Sequence, residues 1–346
     1  MTTRSPNPIV QLTLWRVRDF TREPEALFWV FAFPIVLAFA LGIAFKNRAP
    51  QRLRVAVEQG PRAAELAATL DTAPGLRAVV LSVAEARQQL RTGRVALVAV
   101  AGEPLVFRYD STRAEGRLAR LLANDAVQRA VGRRDPRAVH EARVAEPGAR
   151  YIDFVLPGLL GMNIMGTGMW GVGFSVVKSR NQKLLKRLLA TPMRKSEYLL
   201  SHILARLVFL AGEVIALLLF GYFVFQVPVR GSAAALAAVV LAGAMTFAGL
   251  GLLVASRVQT IEGVSGLMNL VMVPMWICSG VFFAYSNFPD AIQPVIRALP
   301  LTALNDALRA VMIDGAGLAS LVVPGAVMAA WGVGSFGVAL KIFRWL

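Results

Sequence analysis

The stretch FVLPGLLGMNIMGTGMWGVGFSVV (residues 154–177), followed at once by KSRNQKLLKRLLATPMRKSEYLLS (residues 178–201), decides the fold. The first part holds no Asp, Glu, Lys or Arg and exceeds the roughly 20 residues needed to cross about 30 Å of hydrocarbon as a helix. The second carries Lys178, Arg180, Lys183, Lys186, Arg187, Arg194 and Lys195 against one acid, Glu197. Short loops set membrane orientation through their Lys and Arg content, so this loop is expected on the cytoplasmic side.

Five further apolar runs flank this pair: Leu27 to Phe45, Leu207 to Val227, Ala233 to Ala255, Val264 to Ala284 and Leu318 to Leu340. Only the Leu207 run contains an Asp, Glu, Lys or Arg, namely Glu213. Apolar residues make up 56% of the 346, above the usual globular share of about 45–50%. The excess sits in the runs, so the expected fold is an α-helical polytopic membrane protein with six transmembrane helices. Counting outward from the basic loop places both termini and residues 256–262 inside. Residues 46–151, 228–232 and 285–317 are then outside. The first run is long and ends in Lys46-Asn47-Arg48, so an uncleaved membrane helix fits it better than a signal peptide.

The net charge of +16 does not indicate nucleic-acid binding. The basic residues are divided between the inner loop and the long insertion, with no aromatic-interleaved patch. The single cysteine, Cys278, lies in the fifth run and excludes a disulfide within the chain; His140 and His202 are too far apart in sequence to point to a metal site.

Residues 46–151 have the size of a small domain and alternate strand and helix patterns. Strands are expected at Leu53 to Glu58, Arg77 to Val83, Val95 to Val100 and Leu105 to Tyr109. Helices are expected at Arg62 to Leu70, Ala84 to Arg91 and 113–131, the last with Leu118, Leu121, Leu122 and Val127 on one face. The reading is an inserted extracytoplasmic α/β domain, structural or partner-binding, without nucleophile-elbow, phosphate-loop or zinc spacing.

Within the basic loop, Lys183-Leu184-Leu185-Lys186-Arg187-Leu188-Leu189 places leucines on one helical stripe and basic residues on another. Ala190-Thr191-Pro192 ends that helix, because proline lacks an N–H and disfavours helix before it. Residues 180–192 therefore read as a short amphipathic helix, either resting on anionic lipid or docking into another protein. Residues 1–26 read as an interfacial helix, with Val10, Leu14 and Val17 at helical spacing and Trp15 at headgroup level.

Glu213 is expected to face protein or water, since a central acid costs about 2.5–3.5 kcal/mol on insertion scales. It is a functional candidate, or else a carboxyl hydrogen-bonded through Asn163 or Asn269. Glycines at 158, 161, 166, 168, 171 and 173 allow close helix approach, for sliding or for static packing. After the fifth run come Ser279-Gly280, Phe282-Phe283, Pro289 and Pro300. Two short helices broken at prolines (288–313) are expected there, at the outer interface or re-entering it.

The pattern Ser279-Gly280, Phe282-Phe283, Pro289, Pro300-Leu301-Thr302 and Asp306-Ala307-Leu308-Arg309 resembles the permease subunits of type-2 ABC exporters. Leu188-Leu189-Ala190-Thr191-Pro192 is similar to that family's coupling helix. The large insertion after the first membrane helix is similar to the subgroup that exports drugs, lipids or sodium. The resemblance implies efflux across a bacterial inner membrane, with no catalytic residue and no cofactor in this chain. ATP and Mg would be bound by a separate nucleotide-binding subunit gripping the segment around Lys183 to Thr191 and the N-terminal helix. A second permease copy, identical or not, would complete the path between helices two and five, and the segment from Pro289 to Ile313 would cap it. Membrane lipid and an external adaptor or envelope protein are the remaining expected partners. Two other readings fit the residues: a mechanotransmitter whose stroke moves the external domain, and a proton-coupled secondary transporter using Glu213.

Overall fold

The computed structural model describes residues 8–45, 52–134, 136–137, 150–181 and 195–342. Two compact units divide the chain: residues 1–46 with 145–346, and residues 47–144.

The first unit is helical. Helix α1 (Pro8–Thr21) precedes α2 (Pro24–Ala44), the first of six helices long and apolar enough to cross a membrane. The others are α6 (Tyr151–Asn181), α7 (Lys195–Phe225), α8 (Ala233–Ala255), α9 (Ile261–Cys278) and α12 (Val322–Ile342), the last preceded by a 3-10 turn at Leu318–Leu321. Between α9 and α12 lie α10 (Gln293–Arg297) and α11 (Pro300–Met312). Local chemistry sets several boundaries. Ser232 and Thr260 cap α8 and α9 by accepting from the N–H groups of Ala235 and Gly263, the usual work of a short hydroxyl at an N-cap. The fifth apolar run leaves the helix at Ser279, because Gly280 takes φ +74°, a conformation glycine adopts without steric cost.

Helix α6 is the hub. Its apolar window is 83% buried, against 17–44% for the other five spans, and it packs on α2, α7, α8, α9 and α11. The shared core takes in Leu156, Leu160, Ile164, Met165 and Met169 of α6, Phe247 of α8, Met268 and Met272 of α9, and Leu301, Leu304 and Leu308 of α11. Glycines bring α6 and α8 together: a Cβ on Gly251 would lie 2.7 Å from the carbonyl oxygen of Met169. At this crossing the small residues serve close packing.

The second unit runs β1 (Leu53–Glu58), α3 (Ala63–Asp71), β2 (Leu76–Leu81), α4 (Val83–Arg91), β3 (Leu97–Val100), β4 (Val106–Tyr109) and α5 (Ala114–Ala130). The sheet order is β2-β1-β3-β4, with β4 alone antiparallel to its neighbour. Ser82 and Glu85 form a reciprocal capping box at the start of α4. The buried end of β1 carries Glu58, whose carboxylate accepts from Arg108 on β4 at 2.6 Å.

One expectation for this unit is corrected. Leu122 and Val127 pack against the core of the sheet, but Leu118 and Leu121 are 50% and 56% exposed. Helix α5 buries Gly116, Ala119 and Ala123 instead. A Cβ on Gly116 would lie 2.7 Å from the Asp110 carbonyl oxygen. The sheet approaches too closely there for anything larger, and the bulky leucines turn outward.

Candidate functional site in the membrane unit

Two polar clusters are built into the helical unit. The first joins α2, α6 and α7. Arg206 and Glu213 lie seven residues apart on α7, two helical turns along one face. Glu213 is 2% exposed, and its Oε1 accepts from Arg206 Nη1 at 3.3 Å. Thr167 of α6 bridges the pair: its hydroxyl is 3.1 Å from Glu213 Oε2 and accepts from Arg206 Nη2. One turn earlier on α6, Asn163 Nδ2 donates to the carbonyl of Val30 at 3.2 Å. That carbonyl needs an outside donor because residue 34, four positions on, is proline and has no N–H. The same stretch of α2, Phe28–Ala32, widens into a π turn. Such turns free backbone groups inside a helix.

The second cluster gathers around the start of α6. Arg150 forms an ion pair with Asp153 at 2.8 Å and donates to the carbonyls of Phe225 and Gln226 at 2.8 and 3.3 Å. It thereby closes the C-terminal end of α7, whose last carbonyls have no helical partners. The Asp153 carboxylate holds the Arg150 guanidinium above its ordinary value. Tyr151 donates to the carbonyl of Phe282 at 2.8 Å. Arg309 of α11 lies 3.8 Å above the Phe154 ring, donates to the carbonyl of Gly280, and has Asp306 at 3.8 Å. Deeper in, Asn305 Nδ2 donates to the carbonyl of Ser279 at 2.9 Å. Its Oδ1 lies where a side chain at residue 161 would be. Gly161→Ala is therefore expected to cost about 1–3 kcal/mol, the usual range for overpacking. The check is the thermal midpoint of the purified variant, with Gly266→Ala, which meets nothing within 4 Å, as control.

The structure thus unites most of the residues expected at the outer gate. Phe282 and Arg309 meet Tyr151 and Phe154 at the start of α6, Gly280 and Asp306 contact Arg309, and the Ser279 carbonyl accepts from Asn305. Pro300 is buried at the first position of α11. Phe283 stacks on Phe288, with ring centroids 5.8 Å apart. Pro289 lies before α10, its carbonyl accepting from Ile292 N–H at 3.0 Å.

The hydrogen-bond partners expected for Glu213 are corrected. Asn163 bonds to Val30, and Asn269 is exposed on α9. Thr167 and Arg206 hold the carboxylate instead. Lys183, Leu184, Leu185, Lys186, Arg187, Leu188, Leu189, Thr191 and Pro192 lie outside the described residues. Arg150, Asp153, Thr167, Arg206 and Asn305 went unread in sequence. Arg206 and Asp153 each adjoin the edge of an apolar run, where a charged residue reads as the membrane boundary. Among the described residues, no group of three or more His, Cys, Asp or Glu could hold a metal ion.

The family model described as "ABC-2 family transporter protein" matches residues 24–341. ABC transporter G family member 20 of Dictyostelium discoideum is 30% identical over 174 residues, which is 50% of this chain and 24% of that protein. The probable multidrug ABC transporter permease YbhR of Escherichia coli K12 is 24% identical over 172 residues, 50% of this chain and 47% of that one. The matched stretches span less than half the length of either relative. A family match across nearly the whole chain, together with six membrane-crossing helices, is decisive: this chain belongs to the ABC-2 transporter family and is a transmembrane permease subunit of an ABC transporter.

Proposed function

We propose that this chain is the membrane half of an ATP-driven exporter that moves a hydrophobic or amphipathic substrate, such as a drug or lipid, outward across a bacterial cytoplasmic membrane. Its termini are inside, and the β1–α5 unit is outside. A separate nucleotide-binding subunit holds ATP and Mg and grips residues 180–192.

The observation that carries this reading is the length of α6 and α7. Each has 31 residues, about 46 Å at 1.5 Å per residue, against about 30 Å of hydrocarbon. The charged residues of these helices sit at the ends that face the joining segment: Lys178 and Arg180 near the end of α6, Lys195 and Glu197 at the start of α7. Both helices are therefore longer than the hydrocarbon is thick, and their charged ends adjoin residues 182–194. A push on that segment acts directly on α6, which packs against α2, α7, α8 and α9 of the other membrane helices. A second permease copy is supported by Asn269. Its amide is exposed on a membrane helix, where a polar side chain facing hydrocarbon is costly. A protein or water-lined face of α9 fits it better than lipid.

The test is purification from native membranes in mild detergent, with co-purifying proteins identified and ATP hydrolysis measured. A stoichiometric nucleotide-binding subunit with substrate-stimulated hydrolysis is the expected result. A chain that isolates alone and transports without ATP would sink the reading. ATP-driven movement of the β1–α5 unit without transport would favour the mechanotransmitter.

A further inference from the structure

Residues 47–144, the β1–α5 unit, hold 17 arginines, no lysine and ten acids. The topology sorts these charges along the strands. β1, β2 and β3 run parallel, so their C-terminal ends lie together with the loops that follow them. Glu58 ends β1, Glu85 sits in the capping box that starts α4, and Glu103 of the β3–β4 loop pairs with Arg62 at 2.9 Å. Acids gather at that end.

The opposite end is basic. Arg52 precedes β1, and Arg54 and Arg77 are direct cross-strand partners on β1 and β2. Side chains alternate faces along a strand. Ala56, two residues past Arg54, packs with Ala86 of α4, and Leu81, four past Arg77, packs against the same cluster. Both arginines therefore share the face that α4 covers. Helix α4 starts at the acidic end and finishes at the basic one, in Arg91, with Arg94 just beyond. Arg113, in the β4–α5 loop, reaches the same place, since a Cβ on Gly93 would meet its guanidinium.

Arg52, Arg54, Arg77, Arg91 and Arg94 are all exposed, and none makes an ion pair among the described residues. The acids at this end are engaged or turned away. Asp71 accepts from Ala78 N–H at 3.2 Å, and Asp110 accepts from Thr112 N–H at 2.9 Å with Arg113 at 3.6 Å. Glu115 starts α5, which packs on the other face of the sheet. Arg91 has a local reason to be there, because a cation suits a helix C-terminus. The Arg54–Arg77 pair has none. Neighbouring strands are about 4.8 Å apart, and like charges directly opposite weaken a sheet. An anion seated between the two turns that repulsion into two attractions.

We propose that this end of the unit, centred on Arg54 and Arg77, is a docking surface for anionic phospholipid headgroups. Two observations select lipid. Every cation here is an arginine, whose planar fork matches phosphate oxygens bidentately. The chain also enters the unit at this end, since Leu53 follows Ala44, the last residue of α2, by nine positions. Nine residues reach about 30 Å at most, so bilayer phosphate is within reach of β1 whichever way the unit turns. The inference needs only that α2 sits in a bilayer, so it stands or falls separately from the exporter reading.

The test is hydrogen–deuterium exchange of the purified full chain in nanodiscs of phosphatidylcholine alone and of phosphatidylcholine mixed with phosphatidylglycerol. Peptides across residues 72–77 and 91–96 are expected to exchange more slowly in the anionic disc, and the β3–β4 loop at the same rate in both. Each arginine near an anionic surface favours it about fivefold, so Arg54→Gln with Arg77→Gln should weaken docking roughly 25-fold and abolish the difference. Arg62→Gln with Arg129→Gln removes the same charge from elsewhere in the unit and should leave the difference in place. Arg77→Glu separates binding from folding. It faces Arg54 with an opposite charge, so the thermal midpoint in phosphatidylcholine should hold or rise while the lipid response disappears. Equal exchange of the unaltered chain in the two discs overturns the proposal, as does protection that survives Arg54→Gln with Arg77→Gln. Protection by millimolar inorganic phosphate in the neutral disc, without protection by phosphatidylglycerol, assigns the surface to a free anion and overturns the lipid.

Discussion

Replacing both Lys186 and Arg187 with glutamate is expected to detach the nucleotide-binding subunit while leaving the permease in the membrane. Opposing like charges across a docked surface costs several kcal/mol, and even about 2.8 kcal/mol lowers affinity roughly 100-fold. The expected result is loss of the partner from detergent extracts and loss of ATP-dependent transport, with unchanged yield of the membrane chain. Orientation should survive, because Lys178, Arg180, Lys183, Arg194 and Lys195 remain in the loop and acids weigh little in setting topology. The competing account is a helix lying on anionic lipid. It predicts a different loss, about 1 kcal/mol of lipid attraction for each removed positive charge, with the partner still bound. Co-purification in neutral and in anionic lipid separates the two. A partner retained equally in both, with transport intact, would remove residues 183–192 from the docking surface.

The membrane architecture was legible because hydrocarbon imposes a one-dimensional rule on sequence: a helix that crosses must be apolar for its whole length. Six runs could therefore be read from composition, though α6 and α7 extend beyond theirs into charged sequence and α9 stops short of its run at Gly280. The inserted domain was legible for a related reason, since β1, β2, β3 and β4 are short β-branched and apolar runs separated by turns. Face assignment failed on α5, where hydrophobicity pointed to Leu118 and Leu121 but available space selected Gly116, Ala119 and Ala123. The polar clusters resisted reading for another reason. Thr167 meets Glu213 from 46 residues away, and Arg309 meets Phe154 from 155 residues away. Neither pairing leaves a periodic trace. Arg206 was hidden by position, since a basic residue at the edge of an apolar run looks like an interfacial anchor. Its neighbour Leu207 opens the run, yet the helix continues with Arg206 turned inward toward Glu213. The Val30 carbonyl was the one contact with a readable signal. Proline at residue 34 announces an unbonded carbonyl four positions earlier, and a donor has to be found for it.

Removing Arg206 alone is expected to be among the most damaging single changes in the membrane unit. Arg206→Met leaves the Glu213 carboxylate, 2% exposed, with Thr167 as its one remaining partner. Breaking a buried pair from one side costs about 3–5 kcal/mol. At about 2–4 °C per kcal/mol for a domain of this size, the thermal midpoint should fall by roughly 6–20 °C. Arg206 is a quarter exposed, so the smaller end of that range is expected for the reverse change, Glu213→Leu, which leaves a guanidinium able to reach water. The double variant Arg206→Met with Glu213→Leu should recover most of the loss, because well-packed apolar replacements of buried ion pairs are often neutral or stabilising. The recovery is the coupling energy of a double-mutant cycle, measured as the midpoint of each variant in the same detergent or nanodisc. Independent, additive losses would mean that the two side chains do not act as a pair. Transport by the stable double variant then decides between the two roles of Glu213. ATP-driven transport near the wild-type rate makes the pair a brace between α6 and α7, since no proton could bind a leucine. A folded, stable and inactive double variant makes the carboxylate part of the transport cycle. In that case Glu213→Gln, which keeps the hydrogen bond from Thr167 and removes the charge, separates a need for the polar contact from a need for ionisation.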